Sequence, residues 1–357
     1  MDFHTTENTA PASPDRLREI LEAPGFGVHF TDHTAVIDWT AASGWTNARI
    51  EPYGPIPMDP AAAVLHYAQE VFEGLKAYRH DDDGVHTFRP YANAARINLS
   101  ARRMALPELD EDVFVRSLEE LVSVDKAWVP SREGDALYLR PFMYASEAFL
   151  GVRPAREVSY RVIASPAGNY FGGEVKPVRI WVSRDFTRAA PGGTGSAKTG
   201  GNYASSLAAQ AQAAQMNCDQ VLFLDPLHEN AVEELGGMNV FLVTDDNTLI
   251  TPQLTGTILE GVTRSSVIQL AKDRGMAVEE RRITLDEWAK GIEQGTIVEA
   301  FACGTAAVIT PIGELVDGET TISSPGAGNV TQGLREELLG IQRGTVEDRH
   351  GWLHRLA

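Results

Sequence analysis

The chain has 357 residues, 43% of them hydrophobic and 22% charged, with a formal net charge of −18 at pH 7. That length exceeds the roughly 250–300 residues a single hydrophobic core serves, so two domains are expected. The acidic balance argues against a nucleic-acid or anionic-membrane surface, no run of about 18 apolar residues offers a membrane span, and residues 1–14 lack the apolar centre of a signal peptide.

In chain order, residues 1–15 read as a loose polar tail carrying Pro11 and Pro14. Strands are predicted over 34–38 and 45–50, the second running into a turn with Pro52, Pro55 and Pro57, and over 85–88. Pro90 opens a predicted helix to about residue 103, with Ala94, Ile97 and Ala101 on one face. Val113, Phe114, Leu118, Leu121 and Val122 keep helical spacing over 111–124. Strands follow over 136–144 and 159–165. Between Ala164 and Pro177 the glycines and prolines cluster, which marks 169–177 as a linker between a smaller domain (16–168) and a larger one (178–357).

The second domain is predicted to hold strands over 178–183, 220–224, 239–243, 248–250 and 277–281. Helices are predicted over 203–217, 264–274 and 330–342. No sustained strand–helix–strand alternation appears, so the fold class is α+β rather than a doubly wound sheet. Only Cys218 and Cys303 occur, so no disulfide framework is expected and a cytoplasmic location fits.

The most informative stretch is Gly192-Gly193-Thr194-Gly195-Ser196-Ala197-Lys198-Thr199-Gly200-Gly201. A lysine among small residues either holds a nucleotide phosphate or forms a Schiff base with a carbonyl cofactor. Ala197 breaks the phosphate-loop pattern, and Gly200 and Gly201 are poor residues for the helix that should open behind such a lysine. The preceding strand stops near residue 183, and Val221 to Asp225 reads as a strand ending in an ordinary Asp-Pro turn. A Schiff base with pyridoxal phosphate needs more: a carboxylate for the pyridine nitrogen and donors for the phosphate.

Three segments bear on that choice: Lys198 to Tyr203, Glu233 to Asn239 (Glu-Glu-Leu-Gly-Gly-Met-Asn) and Phe301 to Ala306. With His66-Tyr67, Phe72 to Ala77, Leu137 to Pro141 and Gly261 to Arg264, they resemble the branched-chain amino-acid aminotransferases, in family order over about residues 30–355. The resemblance implies a two-domain fold type IV pyridoxal-phosphate enzyme with D-amino-acid aminotransferase-like architecture. The implied reaction is reversible transamination of L-leucine, L-isoleucine and L-valine with 2-oxoglutarate, giving branched 2-oxo acids and L-glutamate, in amino-acid biosynthesis. A cytoplasmic homodimer acting on small molecules, without nucleic-acid or membrane partners, is implied with it.

Residue by residue, the resemblance makes Lys198 the catalytic Schiff-base lysine and Glu234 the partner of the pyridine nitrogen. Arg96, Thr305 and the N–H groups of Val262 and Thr263 would hold the phosphate, and Tyr203 the ring oxygen. Tyr67, Phe72, Tyr138 and Tyr170 would wall the substrate pocket, Arg140 would meet a second substrate carboxylate, and the Thr305–Ala306 backbone the first. No metal ligand belongs to the set. Glu233, the neighbour of Glu234, is expected to be solvated. Ala307 and Thr310 stand where mammalian-type members carry a redox cysteine pair, and Gly237 replaces a threonine of those members. D-amino-acid aminotransferases and aminodeoxychorismate lyases would share Lys198 and Glu234 but not the pocket motifs; an ATPase or a non-catalytic binding protein is the rival outside this class.

Overall fold

The structure is a computed structural model and describes residues 1–168 and 176–357. Tyr170 lies outside the described residues. Strands occur in chain order as β1 (His4–Thr5), β2 (His33–Thr40), β3 (Gly44–Pro52), β4 (Glu70–Phe72), β5 (Leu75–Arg79), β6 (Val85–Phe88), β7 (Ala136–Ala145), β8 (Glu157–Ala167), β9 (Val178–Val182), β10 (Gln220–Leu224), β11 (Val232–Leu235), β12 (Asn239–Thr244), β13 (Thr248–Thr251), β14 (Ala277–Glu280), β15 (Ile297–Gly304), β16 (Val308–Asp317), β17 (Thr320–Ser323) and β18 (Leu353–Arg355). The helices are α1 (Pro14–Glu22), α2 (Ala63–Tyr67), α3 (Pro90–Arg103), α4 (Glu111–Val124), α5 (Gly200–Gln215), α6 (Val262–Asp273), α7 (Leu285–Gln294) and α8 (Asn329–Gln342).

Two compact units result, one of residues 1–172, 197–200 and 340–357, the other of 173–196 and 201–339. This division departs from a single cut at 169–177 in two places. The last eighteen residues return to the first unit because β18 pairs antiparallel with β6 and Leu356 packs into that unit's core. Residues 197–200 join it too, so the Lys198 loop belongs to the first unit while most of α5 belongs to the second. Residues 1–15 are not a loose tail either. β1 lies parallel to β3, Asn8 donates its side-chain amide to the Asp32 carbonyl at 2.9 Å, and Ser13 caps α1.

The first unit is built on a sheet in the order β1-β3-β2-β8-β7-β5-β6-β18, with β4 on β7. The β7–β8 ladder keeps an unbroken antiparallel register from Ala136↔Ala167 to Ala145↔Val158. α4 packs on β2 and β8, and α3 packs on α4 and β4. α4 forms because its apolar residues recur at three and four and because Asp110 accepts hydrogen bonds from the N–H groups of Asp112 and Val113. Its buried face, Phe114, Leu118, Leu121 and Val122, joins Ile37, Ile97 and Tyr160 in one core. Each such side chain contributes about 1.5–3 kcal/mol by leaving water.

The second unit has a sheet in the order β11-β10-β9-β16-β15-β12-β13-β14, with β17 on β16. β9 is parallel to both β10 and β16, whereas β12, β15 and β16 pair antiparallel. Mixed sheets with helices apart from strict alternation make this an α+β fold. Phe241 and Phe301 stack face to face at 5.1 Å between β12 and β15, and Trp288 of α7 is fully buried. Among the described residues no helix is long and apolar enough to cross a membrane.

Candidate active site

Lys198 sits two residues before α5, at the end of the long loop that leaves β9. Its N–H donates to Ser100 Oγ at 2.9 Å, and its carbonyl accepts the Phe72 N–H at 3.0 Å. Thr199 Oγ1 donates to Glu70 Oε1 at 3.2 Å, and the Gly200 N–H donates to the same oxygen. The helix therefore opens with both glycines, earlier than the sequence pattern indicates, and their low propensity does not stop it. The Glu70 carboxylate satisfies the first helical N–H, which offsets a cost of about 1 kcal/mol per glycine. A carboxylate in that position also repels a phosphate, so the nucleotide reading fails for a different reason than the glycines. Asp225 likewise is engaged in its own turn, accepting from the Leu227 N–H at 2.8 Å and facing His228 Nδ1 at 2.8 Å.

Around Lys198 the first unit gathers an aromatic and cationic cluster. Lys198 Nζ is 4.7 Å from the Phe72 ring centre, and the Arg140 guanidinium carbon is 4.8 Å from the same ring. Arg140 also lies 5.3 Å from the Tyr138 ring and donates from Nη2 to the Tyr138 hydroxyl at 3.0 Å. Arg140 Nε is buried, with no acceptor among the described residues. Gly74 permits this packing: a Cβ there would run into the Tyr138 hydroxyl and sit 2.8 Å from its Cζ. Tyr67 ends α2, 38% exposed, and its hydroxyl donates to the Leu150 carbonyl.

Arg96 is buried on α3 and grips Glu73 with two nitrogens, Nε to Oε1 at 2.7 Å and Nη2 to Oε2 at 2.8 Å. Asn93 Nδ2 adds a third bond to Glu73 at 2.7 Å. Burial would push the Glu73 carboxyl up, but the Arg96 charge and hydrogen bonds, the Lys198 charge and Asn93 together hold it below its ordinary value. Arg96 is thus half of a buried ion pair.

In the second unit, Glu234 near the end of β11 is 2% exposed, forms an ion pair with Arg188 Nη1 at 2.9 Å and accepts from the Leu259 N–H at 2.9 Å. Asn239 Nδ2 is 3.4 Å from Glu234 Oε2 and 3.1 Å from the Leu259 carbonyl. Asn239 begins β12 opposite Cys303, and the turn holding Thr305 and Ala306 follows the end of β15 one residue later. Val262 and Thr263 open α6 behind Gly261, which offers no side-chain cap. Tyr203 is half-buried in the first turn of α5. The expectation of a solvated Glu233 is wrong: it is 2% exposed and accepts from Thr257 Oγ1, while its Oε2 has no partner among the described residues. Burial pushes that carboxyl up, against the Thr257 hydrogen bond and the Arg188 charge.

These donors suit pyridoxal phosphate. A buried carboxylate beside a guanidinium offers a pyridinium partner, and a helix start such as that of α6 offers N–H groups to an anion. The sequence matches a family model, Amino-transferase class IV, over residues 70–315. The chain belongs to the class IV aminotransferases. It is 56% identical over its whole length to a branched-chain-amino-acid aminotransferase of Mycolicibacterium smegmatis, covering 98% of that protein. It is also 55% identical to a probable one of Streptomyces coelicolor, over 97% of this chain and 96% of the other. The Escherichia coli branched-chain amino acid aminotransferase superposes with a TM-score of 0.75 at 27% identity, over 90% of this chain and 100% of that one. A Thermobaculum terrenum enzyme of that name in its pyridoxal-phosphate form gives 0.73 at 26%, over 90% and 98%. The fold is that of the fold type IV enzymes, and pyridoxal 5′-phosphate is the cofactor of this aminotransferase family.

Sequence reasoning missed several residues that organise the site. Glu73 stood in plain view, an acid between the apolar Phe72 and Gly74-Leu75, and its placement in a strand region signals a buried partner. Glu70 and Ser100 carry no such signal, and Arg188 lies in a loop without periodicity. Their roles come only from contacts distant in sequence.

Proposed function

We propose that this class IV aminotransferase exchanges amino groups between branched-chain L-amino acids and 2-oxoglutarate, in the cytoplasm and as a homodimer. The observation that carries the substrate class is the Phe72–Arg140–Tyr138 cluster beside Lys198. Apolar rings suit leucine, isoleucine and valine, while the guanidinium among them suits the second carboxylate of glutamate and 2-oxoglutarate. An enzyme that alternates these two substrates in one pocket needs both. The names of the full-length relatives favour the same substrates.

Pyridoxal phosphate, when bound, supplies the electron sink and the carbonyl carbon that carries the amino group from donor to acceptor. Lys198 Nζ would be the amine that holds this carbonyl and, when free, the base that moves a proton at the substrate Cα. Such a positioned base contributes about 10²–10⁴-fold. Glu234, ion-paired with Arg188, would face the pyridine nitrogen and keep a proton there. By the resemblance, Arg96, Thr305 and the Val262 and Thr263 N–H groups would hold the phosphate, to which the positive end of α6 would add attraction. Tyr203 would meet the ring oxygen. The Thr305–Ala306 backbone would take the substrate's first carboxylate and Arg140 the second, with Phe72, Tyr138 and Tyr67 as walls.

The test is a panel of amino donors with 2-oxoglutarate, run on the yellow purified protein and on Lys198→Ala. Leucine, isoleucine and valine should lead the panel, and Lys198→Ala should lose both colour and turnover. A colourless preparation with full activity, or a panel led by D-amino acids, overturns the proposal. Sedimentation at micromolar concentration checks the dimer.

A further inference from the structure

Lys198 has to keep its backbone still while its side chain moves, and the first unit restrains that backbone from two directions. From β4 comes the Phe72 N–H on the Lys198 carbonyl; from α3 comes Ser100, fully buried, whose Oγ accepts the Lys198 N–H at 2.9 Å. The Ser100 hydroxyl gives its own proton to the Arg96 carbonyl at 3.0 Å, so the same helical turn that carries Arg96 also fixes Lys198. Glu70 lies two residues before Phe72 on β4, hence on the same face of the strand. Phe72 touches the Lys198 ammonium from that face, and Glu70 holds Thr199 and Gly200 immediately beyond. Gly200 leaves the carboxylate room: a Cβ there would lie 2.6 Å from Glu70 Oε1.

We propose that Glu70 and Ser100 are positioning residues for Lys198, clamping the 198–200 backbone so that the side chain pivots from a rigid base over Phe72. The inference rests on the role given to Lys198 above. Neither residue reaches the reacting atoms. Each acts by fixing where Nζ can go, and a displacement of about 1 Å in a reacting group costs about 100-fold in rate. Glu70 does this as a hydrogen-bond acceptor, so an amide oxygen in its place should serve nearly as well as the carboxylate.

The experiment compares Glu70→Ala, Glu70→Gln and Ser100→Ala with the unaltered protein, each loaded with pyridoxal 5′-phosphate. Three quantities are read: hydrogen exchange of the peptide spanning 198–203, the single-turnover rate with leucine per cofactor-loaded chain, and KM. Glu70→Ala should speed exchange in that peptide and lower the rate about 10–100-fold with KM changed less than about threefold, as expected when a reacting group is misplaced but binding is not. Glu70→Gln should recover most of both losses, and Ser100→Ala should speed exchange and slow the rate about 3–10-fold. Unchanged exchange in Glu70→Ala and Ser100→Ala, or a lowered melting temperature with the rate per loaded chain intact, overturns the clamp. If Glu70→Ala does not fold, Ser100→Ala decides alone by the same two readouts. Failure of the transamination reading would instead appear in the unaltered protein, which would be inactive whatever its exchange pattern.

Discussion

Removing either member of the Arg188–Glu234 pair should be costly, whereas removing both should cost little more than removing one. The charges are 2.9 Å apart with side chains 3% and 2% exposed, so little water screens them. At an effective dielectric of about 20 their attraction is about 6 kcal/mol. Folding has already stripped both groups of water, so deleting one leaves the other buried and unpaired, at about 3–5 kcal/mol. Arg188 Nη1 also reaches the Gly195 carbonyl at 3.1 Å and the Thr257 carbonyl at 2.8 Å, and Arg188→Met loses these as well. Arg188→Met and Glu234→Gln should therefore each destabilise by about 3–5 kcal/mol, and the double variant by about the larger single value. The assay is urea unfolding of the four proteins, followed by tryptophan fluorescence, to which Trp181 and Trp288 of the second unit contribute. A double variant whose loss equals the sum of the singles within about 0.5 kcal/mol refutes the reasoning, since independent sites add to that precision.

Three further outcomes follow from the first unit. Glu73 titrates below its ordinary value of 4.5 in the folded protein, so its stabilising effect is complete above about pH 4.5 and is lost as pH falls through the lowered value. The stability gap between the unaltered protein and Glu73→Gln, read as urea midpoints, should stay constant from about pH 6 to 8 and close below about pH 4.5; a gap flat down to about pH 3 contradicts the pairing. Gly74→Ala forces a methyl against the Tyr138 ring and should cost about 1–3 kcal/mol, of which Gly74→Ala combined with Tyr138→Phe recovers part because the nearest atom is the hydroxyl. Equal midpoints for Gly74→Ala and the parent would show that the ring moves freely. Arg140→Met should lower kcat/KM for 2-oxoglutarate about 30–1,000-fold while changing the leucine half-reaction less than about fivefold, and equal losses on both substrates would remove Arg140 from carboxylate recognition.

What the sequence displays well is periodicity backed by local chemistry. α3 and α4 occupy the ranges their apolar spacing predicts, since Pro90 presets the first turn of one and Asp110 caps the other. β6 and β10 coincide with their apolar runs for the same local reason. β11 shows the opposite case. Its four residues Val232-Glu233-Glu234-Leu235 are all buried, yet two carboxylates in a row look like an exposed turn. The strand exists because Arg188 and the Leu259 N–H neutralise and bind one carboxylate, while burial favours a proton on the other. β1 and β18 are hidden differently: with two and three residues they have no period to detect, and each is a strand only because β3 or β6 supplies its ladder.

The same distinction governs the candidate site. Lys198 and Glu234 stand out because reactive residues in glycine-rich or acidic runs are visible in one dimension. Arg188, Glu70 and Ser100 are invisible there, because each is defined by a partner far along the chain: |i−j| is 46 between Arg188 and Glu234 and 98 between Ser100 and Lys198. A buried charge requires such a partner wherever it comes from, since an unpaired one would be neutralised or expelled. Each acid or base that interrupts a buried strand is therefore a pointer to a residue elsewhere. Glu73 points to Arg96, and Glu234 points to Arg188. Glu233 is the exception that completes the rule: among the described residues no cation forms an ion pair with it, and burial pushes its carboxyl toward the neutral form instead.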